Sequence, residues 1–271
     1  GYSRLIVGLR AHDNNRASTV LELFLEAAHR FAVPLRLRGD HGTENLLVAA
    51  WMESHRGSWR GSYIWGRSVH NVRIERLWVD VTAQVGSKWA EFFTQLELQH
   101  GLDVNNDAHI WLLHYIFLPR INEELHFFAS AWNQHRIQIR NGPNRSPADM
   151  FGFDMLIQGV RGDQIPEEES LSEEELELYG VDWPALEDDR LLCSQSTNNP
   201  VNEGASSWVG RVGPPENLNT VEVEPPSVLL GEVPYLDALI EAYRSCVHDT
   251  DLSTLWINGV LYMRGQFPDE F

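Results

Sequence analysis

The charge of this chain is divided so unevenly that only its first part has the composition of a folded domain. Residues 1–160 contain 16 basic and 16 acidic residues, whereas residues 161–271 contain 5 basic and 23 acidic ones. The second part therefore carries the whole formal net charge of −18. Glutamate blocks at 167–169 and 173–175, followed by a stretch rich in Ser, Asn, Gly and Pro, predict that residues 161–232 are mostly disordered.

The hydrophobic pattern of the first part switches between strand-like and helix-like periods. The predicted order is strand, helix, strand, helix, loop and three helices, over residues 2–11, 16–31, 35–38, 45–54, 57–67, 68–85, 107–117 and 120–136. This order favours an α/β domain with helices packed on a small sheet. Two strands make a poor sheet, so either further strands are hidden in the pattern or some precede residue 1.

A few local signals refine these boundaries. Asp13-Asn14-Asn15 supplies cap chemistry before the first helix, Ser68 can cap the third, and Asn105 or Asn106 can cap the fourth. In the second part, Tyr179-Gly180-Val181-Asp182-Trp183 is a candidate docking turn. Residues 234–247 follow the period of an amphipathic helix, and residues 255–263 have the composition of a strand.

Two carboxylates lie where a strand ends and where a helix begins. Asp40 follows the strand at 35–38, and Glu75 lies 35 positions later in the helix predicted from residue 68. At about 100° per residue, an apolar stripe on that helix is predicted to face the sheet, with Glu75 at its edge. An edge position lets the carboxylate reach toward the end of the strand. The stripe consists of Ile74, Leu77, Trp78, Val81 and Val85.

Two carboxylates on rigid elements suit the chemistry of divalent metals. Mg²⁺ is held by oxygen ligands and keeps several waters, so two or three carboxylates can hold it. The simpler interpretation is that Asp40 before His41-Gly42 is a turn residue and that Glu75 is a solvated helix residue. Glu44 is a further possible ligand, but a helix-start residue that interacts with the dipole explains it as well.

Other site classes lack support in the sequence. The two cysteines, Cys193 and Cys246, lie in no paired pattern, which argues against a zinc module or a disulfide framework and favours a reducing compartment. No His-Glu-x-x-His spacing occurs, and no apolar run reaches the roughly 18 residues of a membrane span. In the first part 15 of the 16 basic residues are Arg, the residue better suited to bidentate phosphate contacts.

The segments around both carboxylates resemble an integrase-core family of transposon-derived eukaryotic proteins, represented in fungi and animals. The resemblance covers about residues 1–160. It is carried by Gly39-Asp40-His41-Gly42-Thr43-Glu44-Asn45, His70-Asn71-Val72-Arg73-Ile74-Glu75-Arg76-Leu77-Trp78, Gly1-Tyr2-Ser3-Arg4-Leu5-Ile6-Val7, Leu113-His114-Tyr115, Phe117-Leu118-Pro119-Arg120-Ile121-Asn122, Trp132-Asn133-Gln134-His135-Arg136 and Asn144-Arg145-Ser146-Pro147.

The resemblance implies an RNase H-like fold with an Asp-Asp-Glu site that holds two Mg²⁺ or Mn²⁺ ions. Asp40 and Glu75 correspond to the second Asp and the Glu, as catalytic residues and metal ligands. The first Asp is expected before residue 1, on strands that an N-terminally truncated chain would lack. His70, Asn71 and Arg73 are expected to position DNA, the partner being transposon ends and target. A homo-oligomer, no membrane and a nuclear location are expected.

Two functions follow from this resemblance. In the first, the protein is an integrase-like polynucleotidyl transferase that cuts and joins DNA with divalent metal. In the second, it is a catalytically inactive, domesticated or decayed relative that acts as a nucleic-acid- or protein-binding module. The expected domains are a partial RNase H-like core (1–100), a helical extension (101–160), an acidic linker (161–232) and a small C-terminal segment of unknown role (233–271).

Overall fold

The computed structural model of the protein describes residues 2–40, 42–57, 61–65, 72–138, 144–159, 172–179, 181 and 233–271. The helices are α1 Ala17–Phe31, α2 Leu46–Arg56, α3 Val72–Val81, α4 Ser87–Gln99, α5 Asp107–Gln134, α6 Pro147–Gln158, α7 Glu173–Leu178, α8 Pro234–Ala242 and α9 Asp249–Gln266. The strands are β1 Leu37–Gly39, β2 Tyr63–Trp65, β3 Ile137–Gln138 and β4 Asn144–Arg145.

These elements fall into two compact units that are interleaved along the chain. The strand unit consists of Gly1–Leu9, Asn15–Asp80 and Phe128–Glu222, and the helix unit consists of Arg10–Asn14, Val81–Phe127 and Val223–Phe271. The long helix α5 contributes residues to both. The division of the sequence at residues 100, 160 and 232 remains a prediction.

The strand unit contains two small sheets, a parallel pair of short strands, β1 and β2, and an antiparallel pair, β3 and β4. Leu37 lies opposite Tyr63, Arg38 opposite Ile64, and Gly39 opposite Trp65. Tyr63 and Trp65 pack with buried residues of α2 and with partly buried residues of α1. A strand, a crossover helix and a parallel strand form a βαβ unit, and the core lies between its sheet and its helices. The buried residues that α2 contributes to this core are Val48, Ala49 and Met52, and the partly buried Val20, Leu21 and Phe24 of α1 pack against them.

The helix unit is held by close packing of large apolar side chains. Trp89, Phe92, Phe93 and Phe117 form a ring cluster with centroids 5.4–6.0 Å apart. A π-helical turn at Thr82–Gly86 leads into α4. Gly259 has no side chain, so Ile116 and Leu112 of α5 can lie close to its backbone, and helices α9 and α5 pack closely.

The prediction of a strand at residues 2–11 was wrong. Among residues 2–16, which the structure describes, no strand forms. The reason is that its backbone pairs with side chains. Asn133 bonds both the N–H and the C=O of Ile6 at 2.9 Å. Asn122 bonds the N–H of Ala11 at 2.8 Å and its C=O at 3.0 Å.

The predicted loop at 57–67 contains a strand instead. β2 is fully buried, because its three apolar residues complete the sheet beside β1. Helix α1 was predicted correctly, but its N-cap is Arg16, without a side-chain bond, rather than Asp13-Asn14-Asn15. The Asn106 cap is confirmed, since its Oδ1 accepts from Ala108 N at 2.8 Å. The Ser68 cap lies outside the described residues.

Two further predictions failed for reasons of packing. The helices at 107–117 and 120–136 are one helix that contains Pro119, with Ile116 and Phe117 fully buried just before it. Residues 255–263 belong to α9 rather than to a strand. Their β-branched and aromatic residues favoured the prediction of a strand. The buried positions of this helix instead recur at helical spacing: Leu252, Leu255, Trp256, Gly259, Val260 and Met263. The short helix α7 lies within the span predicted to be mostly disordered, of which the structure describes residues 172–179 and 181.

Candidate metal centre

Asp40 is exposed directly after β1, at the carboxyl end of that strand. Its Oδ1 accepts a hydrogen bond of 2.8 Å from Nδ2 of Asn45. Asn45 ends a 3₁₀ turn, Thr43–Asn45, that leads straight into α2. A strand end and a helix start therefore hold the carboxylate and its partner in a fixed relation.

The side chain of Tyr63 lies against Gly39, the residue before Asp40, and was not singled out from the sequence. The side chain is only 4% exposed, and its hydroxyl occupies the space that a Cβ at Gly39 would need. Burial, reinforced by the charges of Asp40 and Glu44, raises the pKa of the Tyr63 hydroxyl above its ordinary value. The phenol thus stays protonated beside two carboxylates. The run Tyr63-Ile64-Trp65 was the available signal, because such residues favour buried strands.

Glu44 lies close to the same tyrosine. A Cβ at Gly42 would collide with the Glu44 carboxylate, so the side chain folds back over Gly42. Its position in the first turn of the 3₁₀ helix agrees with the helix-start interpretation. Its charge also acts on Tyr63, so a second carboxylate contributes to the electrostatics of this strand end.

The remaining predicted residues follow β2. Since β1 and β2 are parallel, their carboxyl ends meet at one edge of the sheet, and the chain continues from there toward α3. Glu75 lies in the fourth position of α3, but its side chain is not among those described. His70 and Asn71 lie outside the described residues, and Arg73 is half-buried. The pairing of Asp40 with Glu75 therefore remains a prediction.

The apolar stripe of α3 was predicted incorrectly in its first half. Val81 and Val85 are buried, as expected. Ile74 is 50% exposed and Trp78 is 47% exposed, so these two positions do not face a core. The reason is that a helical period defines a direction on the helix but not how far along the helix the packing partner extends.

The carboxylate of Asp40 has the chemistry of one ligand for a hard divalent cation. The exposed carboxylate offers oxygen, the ligand atom that Mg²⁺ and Mn²⁺ accept, and Asn45 fixes its orientation. Across the side chains that are described, no group of three or more His, Cys, Asp and Glu could hold a metal ion. The side chain of Glu75 lies outside that search.

A family model described as an integrase core domain matches residues 1–163, which is more than half of the chain. The chain belongs to the integrase-core family. The matched region contains Asp40 and Glu75 and ends close to the predicted limit at about residue 160. No curated protein and no solved structure matches the chain.

Membership of the integrase-core family confirms the predicted fold class, an RNase H-like α/β fold. Integrase-core proteins are related to polynucleotidyl transferases, generally use divalent metals and bind DNA. The βαβ unit around Asp40 is the α/β part of this fold among the described residues, which are otherwise rich in helix. No helix in the described ranges has the length and apolar character of a membrane span.

Proposed function

We propose that this integrase-core protein cuts and joins DNA phosphodiesters, with Asp40 and Glu75 as two of the three carboxylate ligands of a pair of Mg²⁺ or Mn²⁺ ions. The observation that carries the proposal is the environment of Asp40. Its carboxylate is exposed at the end of a strand, is oriented by Asn45, and lies beside a buried tyrosine that carries no charge. Integrase-core relatives use divalent metal for this chemistry.

The side chains around Asp40 would each contribute to metal binding in a different way. When bound, a pair of divalent ions activates the attacking oxygen and stabilises the leaving oxygen. Asn45 donates to one carboxylate oxygen and so fixes the direction of the ligand. Tyr63 stays protonated, so it adds no negative charge beside Asp40, while Glu44 adds to the negative field that attracts a cation.

Several finer features of the proposal concern the partner. His70, Asn71 and Arg73 would position DNA at the carboxyl edge of the sheet. The Arg-rich first part suits phosphate contacts, and the acidic excess lies in the second part. The DNA would consist of transposon ends and their target, the active form would be a homo-oligomer, and the protein would act in the nucleus.

The decisive variant is Asp40→Asn, which keeps the shape of the side chain and removes its charge. We expect a loss of at least about 100-fold in Mn²⁺ affinity, measured by titration calorimetry of the whole chain, and loss of Mn²⁺-dependent nicking of supercoiled DNA. The Mn²⁺ affinity of Asn45→Ala should fall about 10-fold, because removal of a group that bonds a metal ligand lowers metal affinity about 10–100-fold. Asp149→Asn is the matched control, since Asp149 is also exposed near a helix start.

The same experiment separates the two functions. Equal nicking by the wild-type chain and by Asp40→Asn would contradict the assignment of Asp40. A wild-type chain that binds DNA, with affinity that falls as salt rises, but neither binds Mn²⁺ nor nicks DNA would instead indicate the inactive binding module.

A further inference from the structure

The parallel sheet of β1 and β2 has a second face, opposite the one that packs on α1 and α2. Side chains alternate between the faces of a strand, so Arg38 and Ile64, which are opposite each other, point away from Tyr63 and Trp65. Ile64 is 1% exposed, so this outer face is covered. The buried residue that clusters with Ile64 is Leu176 of α7.

Polar contacts attach the same segment to β1. Arg38 donates through Nη2 to the carbonyl of Leu176 at 3.1 Å and to the carbonyl of Tyr179 at 2.8 Å. The guanidinium of Arg36 lies 4.9 Å from the ring centroid of Tyr179, which is within the range of a cation–π contact. Two arginines next to and within β1 thus hold the two carbonyls and the ring at the end of α7.

The fit of Leu176 is specific. Gly61 has a φ of +60°, and any side chain there would collide with Leu176. Leu176 is 6% exposed and Val181 is 8% exposed, whereas Leu178 is 47% exposed. One side of the segment is therefore buried on the sheet, and the other side faces solvent.

The segment is also stabilised by its own capping hydrogen bonds, and its acidic composition is opposite in charge to the arginines of and before β1. Ser172 and Glu175 form a capping box, in which each side chain bonds the backbone N–H of the other residue. Residues 173–178 contain four glutamates, whereas β1 contains Arg38 and is preceded by Arg36. A short acidic helix that ends in an aromatic residue therefore matches a basic strand with an apolar neighbour.

We propose that the outer face of β1 and β2 is a binding site for the acidic segment of residues 172–181, and that its docking holds the strand that ends at Asp40. Arg38 and Leu176 would then be positioning residues for the metal centre. The binding site stands on the contacts alone, whereas the positioning role rests on the proposed function.

The physical reason is the small size of the sheet. A pair of strands of three residues each is marginal on its own and needs packing on its faces. One face is covered by α1 and α2, and the docked segment covers the other. Arg38 lies two positions before Asp40, so a contact that fixes Arg38 limits the motion of the ligand.

Hydrogen exchange on the whole chain tests the binding site. In Leu176→Ala we expect the amides of residues 36–40 to exchange at least about 10-fold faster, because a buried leucine is lost. Leu178→Ala, an exposed leucine of the same helix, should change exchange less than about 2-fold. Gly61→Ala should act like Leu176→Ala. Gly101→Ala shares the positive φ but meets no neighbouring atom, so it controls for backbone strain.

Rescue distinguishes docking from general destabilisation. Leu176→Met, which keeps the apolar volume, should restore slow exchange. A synthetic peptide of residues 172–181 added to Leu176→Ala should restore it as well, in a saturable way. Equal exchange in Leu176→Ala and Leu178→Ala, or failure of both rescues, would overturn the binding site.

Calorimetric titration with Mn²⁺ tests the positioning role. We expect the Mn²⁺ affinity of Leu176→Ala to fall about 10-fold, as for loss of an outer partner, and the peptide to restore it. Faster exchange with unchanged Mn²⁺ affinity would overturn the positioning role and leave the binding site intact. A wild-type chain that binds no Mn²⁺ would overturn the proposed function and the positioning role together, while exchange still decides the binding site.

Discussion

The two units of this protein differ in which partners bond most of their backbone N–H and C=O groups. In the helix unit most backbone groups bond within helices, and large buried side chains such as Trp256, Phe117 and Leu112 supply the stability. Its irregular residues Arg10–Asn14 also bond a side chain, since Asn122 bonds the backbone of Ala11. In the strand unit, extended stretches have few strand partners, so long polar side chains bond their carbonyls. Arg56, for example, donates to the carbonyls of Val33 and Pro34, at 2.6 and 3.3 Å.

This difference teaches where a functional carboxylate can be held. Buried backbone groups must find partners, and a helix provides them locally, whereas an irregular segment needs side chains from elsewhere. Such side chains also fix the segments that they bond. Asp40 lies in this setting, with Asn45 on its carboxylate and Arg38 two positions before it.

The largest effect should come from the apolar packing of the helix unit. Trp256 is fully buried and its Nε1 donates to the carbonyl of His100 at 3.1 Å. We expect Trp256→Ala to lower the free energy of unfolding by about 3–5 kcal/mol, because it removes a large buried ring. Urea denaturation followed by far-ultraviolet circular dichroism measures this change.

Trp78→Ala is the matched control, because Trp78 is 47% exposed. Its cost should stay below about 1 kcal/mol. Equal losses in the two variants would mean that aromatic burial is not what distinguishes the helix unit.

An intermediate effect should come from the strand unit, where the Tyr63 hydroxyl lies close to Gly39. Gly39→Ala would place a methyl group against the Tyr63 hydroxyl, and overpacking of this kind costs about 1–3 kcal/mol. Tyr63→Phe in the same chain should recover part of that loss, because it removes the atom in closest contact. A double-mutant cycle of unfolding free energies measures the coupling between the two positions.

Gly152→Ala controls for the replacement of glycine itself. Gly152 lies within α6 and has no neighbouring atom within 4 Å of an added Cβ, so alanine should stabilise the helix by up to about 1 kcal/mol. Additive effects of Gly39→Ala and Tyr63→Phe would refute a direct contact between these residues.

The smallest effect should be a pH dependence of the helix unit. His109 is buried, and its Nδ1 accepts from the backbone N–H of Asp103 at 3.0 Å. Burial lowers the pKa of His109, an effect that the charge of Asp103 opposes and that of Arg264 reinforces. Below about pH 6.5 the unfolded chain takes up a proton that the folded imidazole resists, so stability should fall as the pH falls.

Thermal unfolding at a series of pH values checks this expectation. The melting temperature should decline between about pH 7 and pH 5, and the decline should become shallower in His109→Gln, which cannot titrate there. An unchanged slope in the variant would assign the pH dependence to other groups.

The sequence located the helices better than the strands. The hydrophobic period found α1 and α2 to within two residues at either end, because helical hydrogen bonds join residues four positions apart. It failed for β2, which lies among glycines and serines, and for residues 2–11, whose backbone groups bond Asn133 and Asn122. Strand formation depends on a partner that is distant in the sequence.

The sequence nominated Asp40 as a metal ligand, which stays a prediction, but it did not predict the surroundings of that residue. The motif around Asp40 and the family resemblance identified the carboxylate, and the structure shows it exposed at a strand end with Asn45 as partner. Tyr63 was overlooked, because nothing local links a residue in a glycine- and serine-rich stretch to a strand 24 positions earlier. Only the parallel pairing of β1 and β2 brings its hydroxyl over Gly39.

By itself, the sequence determined the family and the fold class, because these follow from local motifs, and it nominated carboxylates that would hold a divalent metal. The tertiary structure decided which groups became partners: Tyr63 beside Asp40, Asn133 on Ile6, and the segment around Leu176 on the outer face of the sheet. The physical reason is that burial and hydrogen bonding are satisfied between segments far apart in the chain, and no local pattern specifies which segments meet.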